Sequence, residues 1–274
     1  MTKCLARKIV WLFAATLLPN AHVLFADGPT PRAVALFNAY SKGVESRLDR
    51  QHQSAGSFLA TPASDFSEAE KRLRGGELLI EKLTPPPCAD FDGAMLHHWR
   101  GTAFAPGATA ADFTRLLRNF DSYPQYFSPQ VLGAKVLSQN GDQMRAWMRI
   151  RQRHVITVVL DATYDITFAE LDARHGASIS RSRQIAEVDG AGTRTERTLS
   201  PAEEHGFLWR MNTYWSYEER DGGLYLQVES VSLTRSVPQG LGWAVRPYVE
   251  SIPRESLEFT LRSSCNALRK RHVN

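Results

Sequence analysis

The chain has 274 residues, of which 43% are hydrophobic and 23% charged, and its formal net charge is +4. These are ordinary globular values, and the length suffices for one sizeable domain with an extension, or for two small domains. No recognised nucleic-acid motif accompanies the mild positive charge, which argues against a nucleic-acid-binding protein. The charge is compatible with peripheral contact with an anionic membrane surface, or with an acidic ligand.

The N-terminus has the pattern of a signal peptide. Lys3, Arg7 and Lys8 form a positive segment. The apolar run that follows, residues 9–18, is of signal-peptide length and too short to span a bilayer. We predict a signal peptide over residues 1–26, cleaved after Ala26, and export to the periplasm or the extracellular medium. The alternative is a buried N-terminal helix.

Two cysteines remain after the predicted cleavage, Cys88 and Cys265. In an oxidising compartment they can form a disulfide. Alternatively Cys265, which lies on an apolar helical stripe, packs as a small free thiol. The sequence contains neither a CxxC motif nor a Cys/His metal spacing, so we predict no metal site and no cofactor.

Residues 27–93 are predicted to form a helical extension with one short strand. Thr30 and Pro31 have the pattern of a cap and a first turn, and the helix has an apolar stripe made of Leu36, Phe37, Tyr40, Val44 and Leu48. A second short helix is predicted over residues 65–73 and a strand over residues 77–83. Prolines at positions 85–87 then mark a rigid connection to the main domain, residues 94–274.

The main domain is predicted to begin with a strand over residues 95–105. His97 and His98 are adjacent on it and point to opposite faces, so they cannot serve one metal, and we interpret each as structural. Thr109 and Asp112 have the spacing of a capping box at a helix start. The aromatic stretch after that helix contains Tyr126, which either rims a pocket entrance or covers the core.

Four further strands are predicted, over about residues 131–138, 142–153, 155–170 and 177–188. A hairpin turn is expected at Asn140-Gly141. In the second of these strands apolar side chains, including Met148, alternate with arginines. The arginine-rich face either binds anionic groups or is the solvated outer face of an antiparallel sheet.

The stretch from Phe207 onward contains the strongest short signal in the chain. Asp221-Gly222 fits a type I′ turn, which needs positive φ at both central residues. With these two residues as the loop, the hairpin has three predicted cross-strand pairs: Trp215–Val228, Thr213–Ser230 and Met211–Ser232. Alternation then puts a mixed set of side chains on one face: Trp209, Met211, Thr213, Trp215, Tyr217, Leu226, Val228 and Ser230. This face is either an ordinary core or the wall of a cavity in which small hydroxyls orient an apolar ligand.

A long amphipathic helix is predicted from Ser251 to Arg271. Ser251 has the chemistry of an N-cap, and Pro253 suits a first turn. One face has an apolar stripe made of Leu257, Leu261, Cys265 and Leu268. Such a stripe must be buried, and the preceding sheet is the obvious partner.

Taken in order, these elements resemble a known superfamily. The likeness lies in residues 101–131, where a short helix carries a Tyr-Pro pair, in the hairpins up to Val188, and in residues 206–235 and 252–265. Together they resemble the START-like superfamily, also called SRPBCC, and within it the polyketide cyclase/dehydrase and coenzyme Q-binding branch. The resemblance covers residues 94–270. It implies an α+β helix-grip fold, in which a curved antiparallel sheet wraps around a long C-terminal helix with a cavity between them.

The resemblance also implies a class of ligand. Members of the superfamily bind lipids, sterols, quinones, polyketides or other hydrophobic molecules, and some have become cyclases or hydrolases. The N-terminal extension lies outside the resemblance, and no family catalytic residue can be assigned to a position in this chain.

Three functions are compatible with these observations. The first is a non-enzymatic binding or carrier module for a hydrophobic small molecule, such as a lipid, a quinone or a polyketide-like compound. We predict that its site is formed by Tyr126, Met148, Trp209, Met211, Thr213, Trp215, Val228 and Ser230.

The second is a cyclase or hydrolase, with acid/base candidates His154, Asp161, Asp165 and Glu229. No pattern brings two of them together, and no nucleophile elbow is present, so we assign no catalytic residue. The third is an interaction protein whose cavity is filled by its own side chains.

Overall fold

A computed structural model describes residues 28–54, 58–60, 66–83, 91–153, 156–236 and 242–271. In the last helix, side-chain surroundings are described for residues 251–270. The predicted signal peptide, the prolines at 85–87, Cys88 and His154 lie outside the described residues. No helix within the described part of the chain is long and apolar enough to cross a lipid bilayer.

Five α-helices and nine strands make up the described structure. The helices are α1 (Pro31–His52), α2 (Phe66–Arg74), α3 (Ala110–Arg118), α4 (Tyr123–Tyr126) and α5 (Gly242–Arg271), with a 3-10 turn at Phe120–Ser122. The first strands are β1 (Leu79–Lys82), β2 (Ala94–Pro106), β3 (Val131–Asn140), β4 (Gln143–Arg153) and β5 (Thr157–Glu170). The remaining strands are β6 (His175–Asp189), β7 (Arg197–Thr198), β8 (Arg210–Arg220) and β9 (Gly223–Arg235).

The strands form one antiparallel sheet in the order β1-β2-β9-β8-β6-β5-β4-β3, with β7 added to β6. We call the face that packs against α5 the inner face and the face that packs against α1 the outer face. Leu257, Leu261 and Leu268 of α5 belong to the inner hydrophobic cluster. Phe37 and Val44 of α1 belong to the outer one. The predicted α+β helix-grip fold, with its N-terminal helical extension, is therefore confirmed.

The predicted register of the last hairpin is confirmed at every pair. Met211 lies opposite Ser232, Thr213 opposite Ser230, and Trp215 opposite Val228. Asp221 and Gly222 form the loop with φ values of 56° and 71°, as a type I′ turn requires. The two-residue loop fixes which side chains of β8 and β9 share a face.

Two predicted boundaries are wrong. The first hairpin turn is Gly141-Asp142, because Asn140 still pairs with Gln143, and Gly141 supplies the positive φ of 55°. α5 begins at Gly242, nine residues before the predicted cap, so Ser251 and Pro253 lie inside the helix. Serine and proline favour a helix start only locally, and a turn already formed before them overrides that preference.

α5 approaches the sheet closely at one glycine. A Cβ atom added to Gly101 in β2 would lie 2.6 Å from Cδ1 of Leu261 and 3.0 Å from Cδ2 of Leu257. These distances are too short for a real contact, so only glycine lets the helix come this close. On the C-terminal side of Gly101, the next two inner residues of β2, Ala103 and Ala105, are also small and fully buried.

Candidate functional site

Two polar rows cross the inner face of the sheet. In the first, successive strands β6, β8, β9 and β2 place four side chains next to one another: Ser180, Thr213, Ser230 and Trp99. In the second, the same strands carry Ser182, Met211, Ser232 and His97. We call these eight residues the hydroxyl rows. Five of the eight are serine or threonine, which leave room on a face that is otherwise apolar.

The next part of the inner face is a closed apolar floor. Trp215 and Val228 form the adjacent cross-strand pair, and both are buried. The Phe113 ring of α3 packs edge-on against Trp215 at 5.0 Å and against Tyr217 at 5.1 Å. The Tyr217 hydroxyl hydrogen-bonds the Thr114 hydroxyl at 2.7 Å. These contacts pack the floor with the protein's own side chains.

The hydroxyl rows are less tightly covered than the floor. In the rows, five residues are half-buried, namely Trp99, Ser180, Ser182, Met211 and Thr213, while His97, Ser230 and Ser232 are buried. In the floor, Trp215, Tyr217, Leu226 and Val228 are all buried. Within the described part of the chain, nothing hydrogen-bonds the hydroxyls of Thr213, Ser230 and Ser232. The inner face is therefore divided into a filled apolar half and a half that presents unpaired hydroxyls.

A buried donor lies at one end of the first row. The indole N–H of Trp99 is enclosed and has no hydrogen-bond partner among the residues that the structure describes, although the Trp99 ring packs against the inner hydrophobic cluster. Leaving such a donor unpaired costs about 1–3 kcal/mol relative to a satisfied one. In the second row, Nε2 of His97 lies 3.1 Å from Oγ1 of Thr234. Among the eight hydroxyl-row residues, Trp99 is therefore the one with a buried donor that lacks an acceptor in the described part of the chain.

Five of the eight predicted ligand residues lie together on the inner face: Met211, Thr213, Trp215, Val228 and Ser230. The placement of Trp209 with them is wrong, because Trp209 packs in the outer cluster. β8 begins only at Arg210, so strand alternation does not extend to Trp209. The chain turns at Gly206, whose φ is 79°, and the Trp209 ring folds over that glycine.

The other two predicted residues lie apart from the rows. Met148 is on the inner face of β4, paired with Ala134 and Ala162, and two strands separate β4 from β8. Tyr126 lies in α4, where its hydroxyl accepts a hydrogen bond from Nδ2 of Asn119 at 3.1 Å. Trp99 and the serines of β6 were not predicted, because their pairing with β8 and β9 is not encoded in any local motif.

A buried ionic network lies on the outer face beneath α1. The Glu229 side chain is 1% exposed; it forms an ion pair with Arg47, and Arg100 Nη1 lies 3.5 Å from it. His98 Nε2 lies 2.9 Å from the Glu229 carboxylate, and His98 Nδ1 lies 2.9 Å from the Tyr40 hydroxyl. Because a carboxylate only accepts, Nε2 carries the proton in this contact. Tyr40 and Arg47 belong to α1, so the network fastens the extension to the sheet.

The network also sets the ionisation of Glu229. Burial raises the pKa of its carboxyl group, but the hydrogen bond from His98 and the charges of Arg47 and Arg100 lower it further than burial raises it. The pKa of Glu229 therefore lies below its ordinary value, and the group is a carboxylate at neutral pH. Such a group is held as a structural anion and is a poor proton acceptor.

The remaining acid/base candidates do not join Glu229. Asp161 accepts two hydrogen bonds from Arg149, at 2.7 Å and 2.8 Å. Asp165 accepts from Arg145 at 2.8 Å and from Arg183 at 2.9 Å. These arginines of β4 and β6 thus lie on the outer face and pair with carboxylates. Among the described residues no three His, Cys, Asp or Glu side chains converge as metal ligands do.

A groove of about 490 Å³ lies elsewhere, between β1 and α5. Its charged lining residues are largely matched: Arg72 pairs with Glu77, and Arg262 pairs with Glu258 at 2.9 Å. Close to it, Cys265 is a free thiol whose pKa burial raises to about 11. Such a thiol stays protonated and unreactive at neutral pH.

Comparisons with known proteins give matches only at the level of structure. No protein-family model matches the sequence, and the search of curated proteins gives no match either. Among solved structures, a protein from Thermus thermophilus is 13% identical, with a TM-score of 0.46 over 63% of this chain and 97% of that one.

Two further matches have descriptive names. A STAR-related lipid transfer protein from Xanthomonas axonopodis is 16% identical, with a TM-score of 0.42 over 69% of this chain and 98% of that one. The Zhui aromatase/cyclase from Streptomyces sp. R1128 is 14% identical, with a TM-score of 0.43 over 65% and 96%. At these identities and TM-scores, the likenesses carry no conclusion about what this chain binds or does.

Proposed function

We propose that this protein is a binding or carrier module for a hydrophobic small molecule, held between the inner face of the sheet and α5. The observation that carries the proposal is the division of the inner face into a packed apolar floor and half-covered hydroxyl rows. Binding sites for small molecules are mostly apolar, with a few polar groups that orient the ligand. Trp215, Val228 and Met211 supply the apolar part, and Thr213 and Ser230 supply the polar part.

An exported protein suits this function, and export is part of the proposal. The support is the positive segment and apolar run at the N-terminus. A carrier in the cell envelope would shield an apolar molecule from water between membrane surfaces. N-terminal sequencing of the protein purified from its producing cells tests this part, and a first residue of Asp27 is the expected result. An uncleaved Met1 in the extracytoplasmic fraction would contradict it.

The binding proposal is tested by looking for a co-purified molecule. The full chain is produced in cells, purified without denaturant and extracted with organic solvent, and the extract is analysed by mass spectrometry. We expect an apolar compound in a fixed ratio to protein. A protein that carries none, and that also fails to bind apolar fluorescent probes, would instead favour an interaction protein with a filled core.

A blocking variant locates the site. Thr213→Phe places a large ring in the half-buried row, so it should abolish binding while the fold is kept. Thr167→Phe is the matched control, because Thr167 is exposed on the neighbouring part of the sheet. Trp215 is unsuitable for this purpose, since it is 8% exposed and packs against Phe113. If Thr213→Phe binds the ligand as well as Thr167→Phe does, the hydroxyl rows are not the binding site.

A further inference from the structure

We infer that the ligand has a neutral oxygen acceptor, of the ketone, quinone or ester kind, and that this oxygen accepts the indole N–H of Trp99 beside the Ser230 hydroxyl. The inference rests on the proposed function and adds the chemistry of the polar group. The enclosed N–H of Trp99 has no hydrogen-bond partner among the described residues. A donor of this kind is satisfied by an acceptor and by nothing else.

The neighbours of Trp99 define what the acceptor can be. Ser230 is the cross-strand partner of Trp99 in β9, and Thr213 is the next residue along the same row. A hydroxyl can donate or accept. Trp99 and Ser230 can thus hydrogen-bond both lone pairs of one carbonyl oxygen. The half-buried Thr213 hydroxyl can bind a second polar atom further along the ligand.

The charge of the hydroxyl-row side chains indicates that the polar group of the ligand is neutral. None of the eight hydroxyl-row residues is acidic, and His97, the only one that can be charged, lies 3.1 Å from Thr234. The first row ends at Lys82 of β1, whose side chain is exposed at the sheet edge. An exposed cation there attracts an anion only weakly. A carboxylate pushed in as far as Trp99 would lose its hydration without gaining a buried cation from the rows.

Three probes of equal chain length test the inference: methyl heptyl ketone, nonane and nonanoate. The full chain is labelled with ¹⁵N at its indole nitrogens, and Trp99→Phe assigns the Trp99 N–H signal among those of the six tryptophans. We expect the ketone to shift the Trp99 signal downfield, and nonane to bind without this shift. Trp99→Phe should weaken ketone binding by about two- to tenfold and leave nonane binding unchanged.

Ser264→Ala is the matched control. The Ser264 hydroxyl is also buried and has no partner among the described residues, but it lies in α5 between Leu261 and Leu268 of the inner hydrophobic cluster and not in the hydroxyl rows. Its removal should not change the affinity for the ketone. Equal changes in Trp99→Phe and Ser264→Ala would mean that the loss reflects general destabilisation, which overturns the inference.

The remaining outcomes separate the inference from the function on which it rests. If the ketone and nonane bind equally and the Trp99 signal stays in place, the carrier function stands and the neutral-acceptor inference is wrong. Tighter binding of nonanoate than of the ketone also overturns the inference, in favour of an anionic ligand. If none of the three probes binds, the proposed function fails and the inference fails with it.

Discussion

Glu229 and Ser230 are neighbours in β9 but lie on opposite faces of the sheet, in very different surroundings. On the outer face, the Glu229 carboxylate is enclosed by Arg47, His98 and Arg100. On the inner face, Ser230 lies beside Trp99, whose buried N–H has no partner in the described part of the chain. A buried charge without partners costs more free energy than a buried neutral group without partners. The charge of Glu229 has partners, whereas the neutral groups on the inner face have none among the described residues.

Polar residues in this single strand have two different uses. The polar groups of the outer face are matched by those of α1, including Tyr40 with His98 and His52 with Ser216 at 2.8 Å. These polar groups pair with one another within the chain, and their contacts hold the N-terminal extension on the sheet. Within the described part of the chain, the hydroxyls of Thr213, Ser230 and Ser232 have no such counterpart, which is what a ligand-binding surface requires.

Breaking the outer network should have the largest effect. Glu229→Ala leaves Arg47 and Arg100 facing the enclosed His98 ring without an anion, which should lower the free energy of unfolding by about 3–5 kcal/mol. Urea unfolding followed by circular dichroism measures the loss. Glu258→Ala removes the acid of an exposed pair with Arg262, and it should change stability little. Similar losses in the two variants would show that the network contributes no special stability.

The next effect concerns the contact that closes the inner face. Gly101→Val places methyl groups where Leu257 and Leu261 now lie, so α5 must lift, at a cost of about 1–3 kcal/mol. Gly43→Ala in α1 is the control, because a Cβ there meets nothing within 4 Å. Alanine should raise helix stability there by about 0.5–1 kcal/mol. Thermal unfolding should therefore shift in opposite directions, and a neutral Gly101→Val would contradict the close approach.

The pH dependence isolates the charge of Glu229. Because its pKa is lowered from 4.5 in the folded protein, its contribution is complete above the unfolded pKa and is lost as the pH falls through the lower, folded value. The stability difference between the native protein and Glu229→Gln should therefore be constant at neutral pH and shrink as the pH falls below about 5. Urea titrations at several pH values measure it. A difference that stays constant would mean that the carboxylate charge is not what stabilises the network.

The sequence predicts one part of the site well and other parts poorly, for physical reasons. The Asp221-Gly222 turn fixes the β8–β9 register, so the pair Thr213–Ser230 could be predicted residue by residue. Trp209 was misplaced because alternation holds only inside a strand. No local sequence signal predicts that Trp99 lies beside Ser230, because the two residues are 131 positions apart in the chain.

The outer network was beyond prediction for the same reason. Glu229 contacts His98 and Arg47 across sequence separations of 131 and 182 residues. A single sequence contains no local signal for such contacts. The apolar stripe of α1 did indicate a buried face, and Phe37, Val44 and Leu48 are buried as predicted. That stripe does not specify which face of the sheet α1 packs against. It therefore does not predict which polar residues of the helix and the sheet contact one another.

The smallest effect on stability is expected on the inner face. Ser230→Ala removes a hydroxyl that has no partner in the described part of the chain, so stability should change by no more than about 0.5 kcal/mol. Ser182→Ala is the matched control, because Ser182 Oγ accepts a hydrogen bond from the Met211 N–H at 2.9 Å, and its loss should cost about 1 kcal/mol. Chemical unfolding of both variants without ligand measures the difference. A larger loss for Ser230→Ala than for Ser182→Ala would mean that the Ser230 hydroxyl already serves the fold, and is not kept for a ligand.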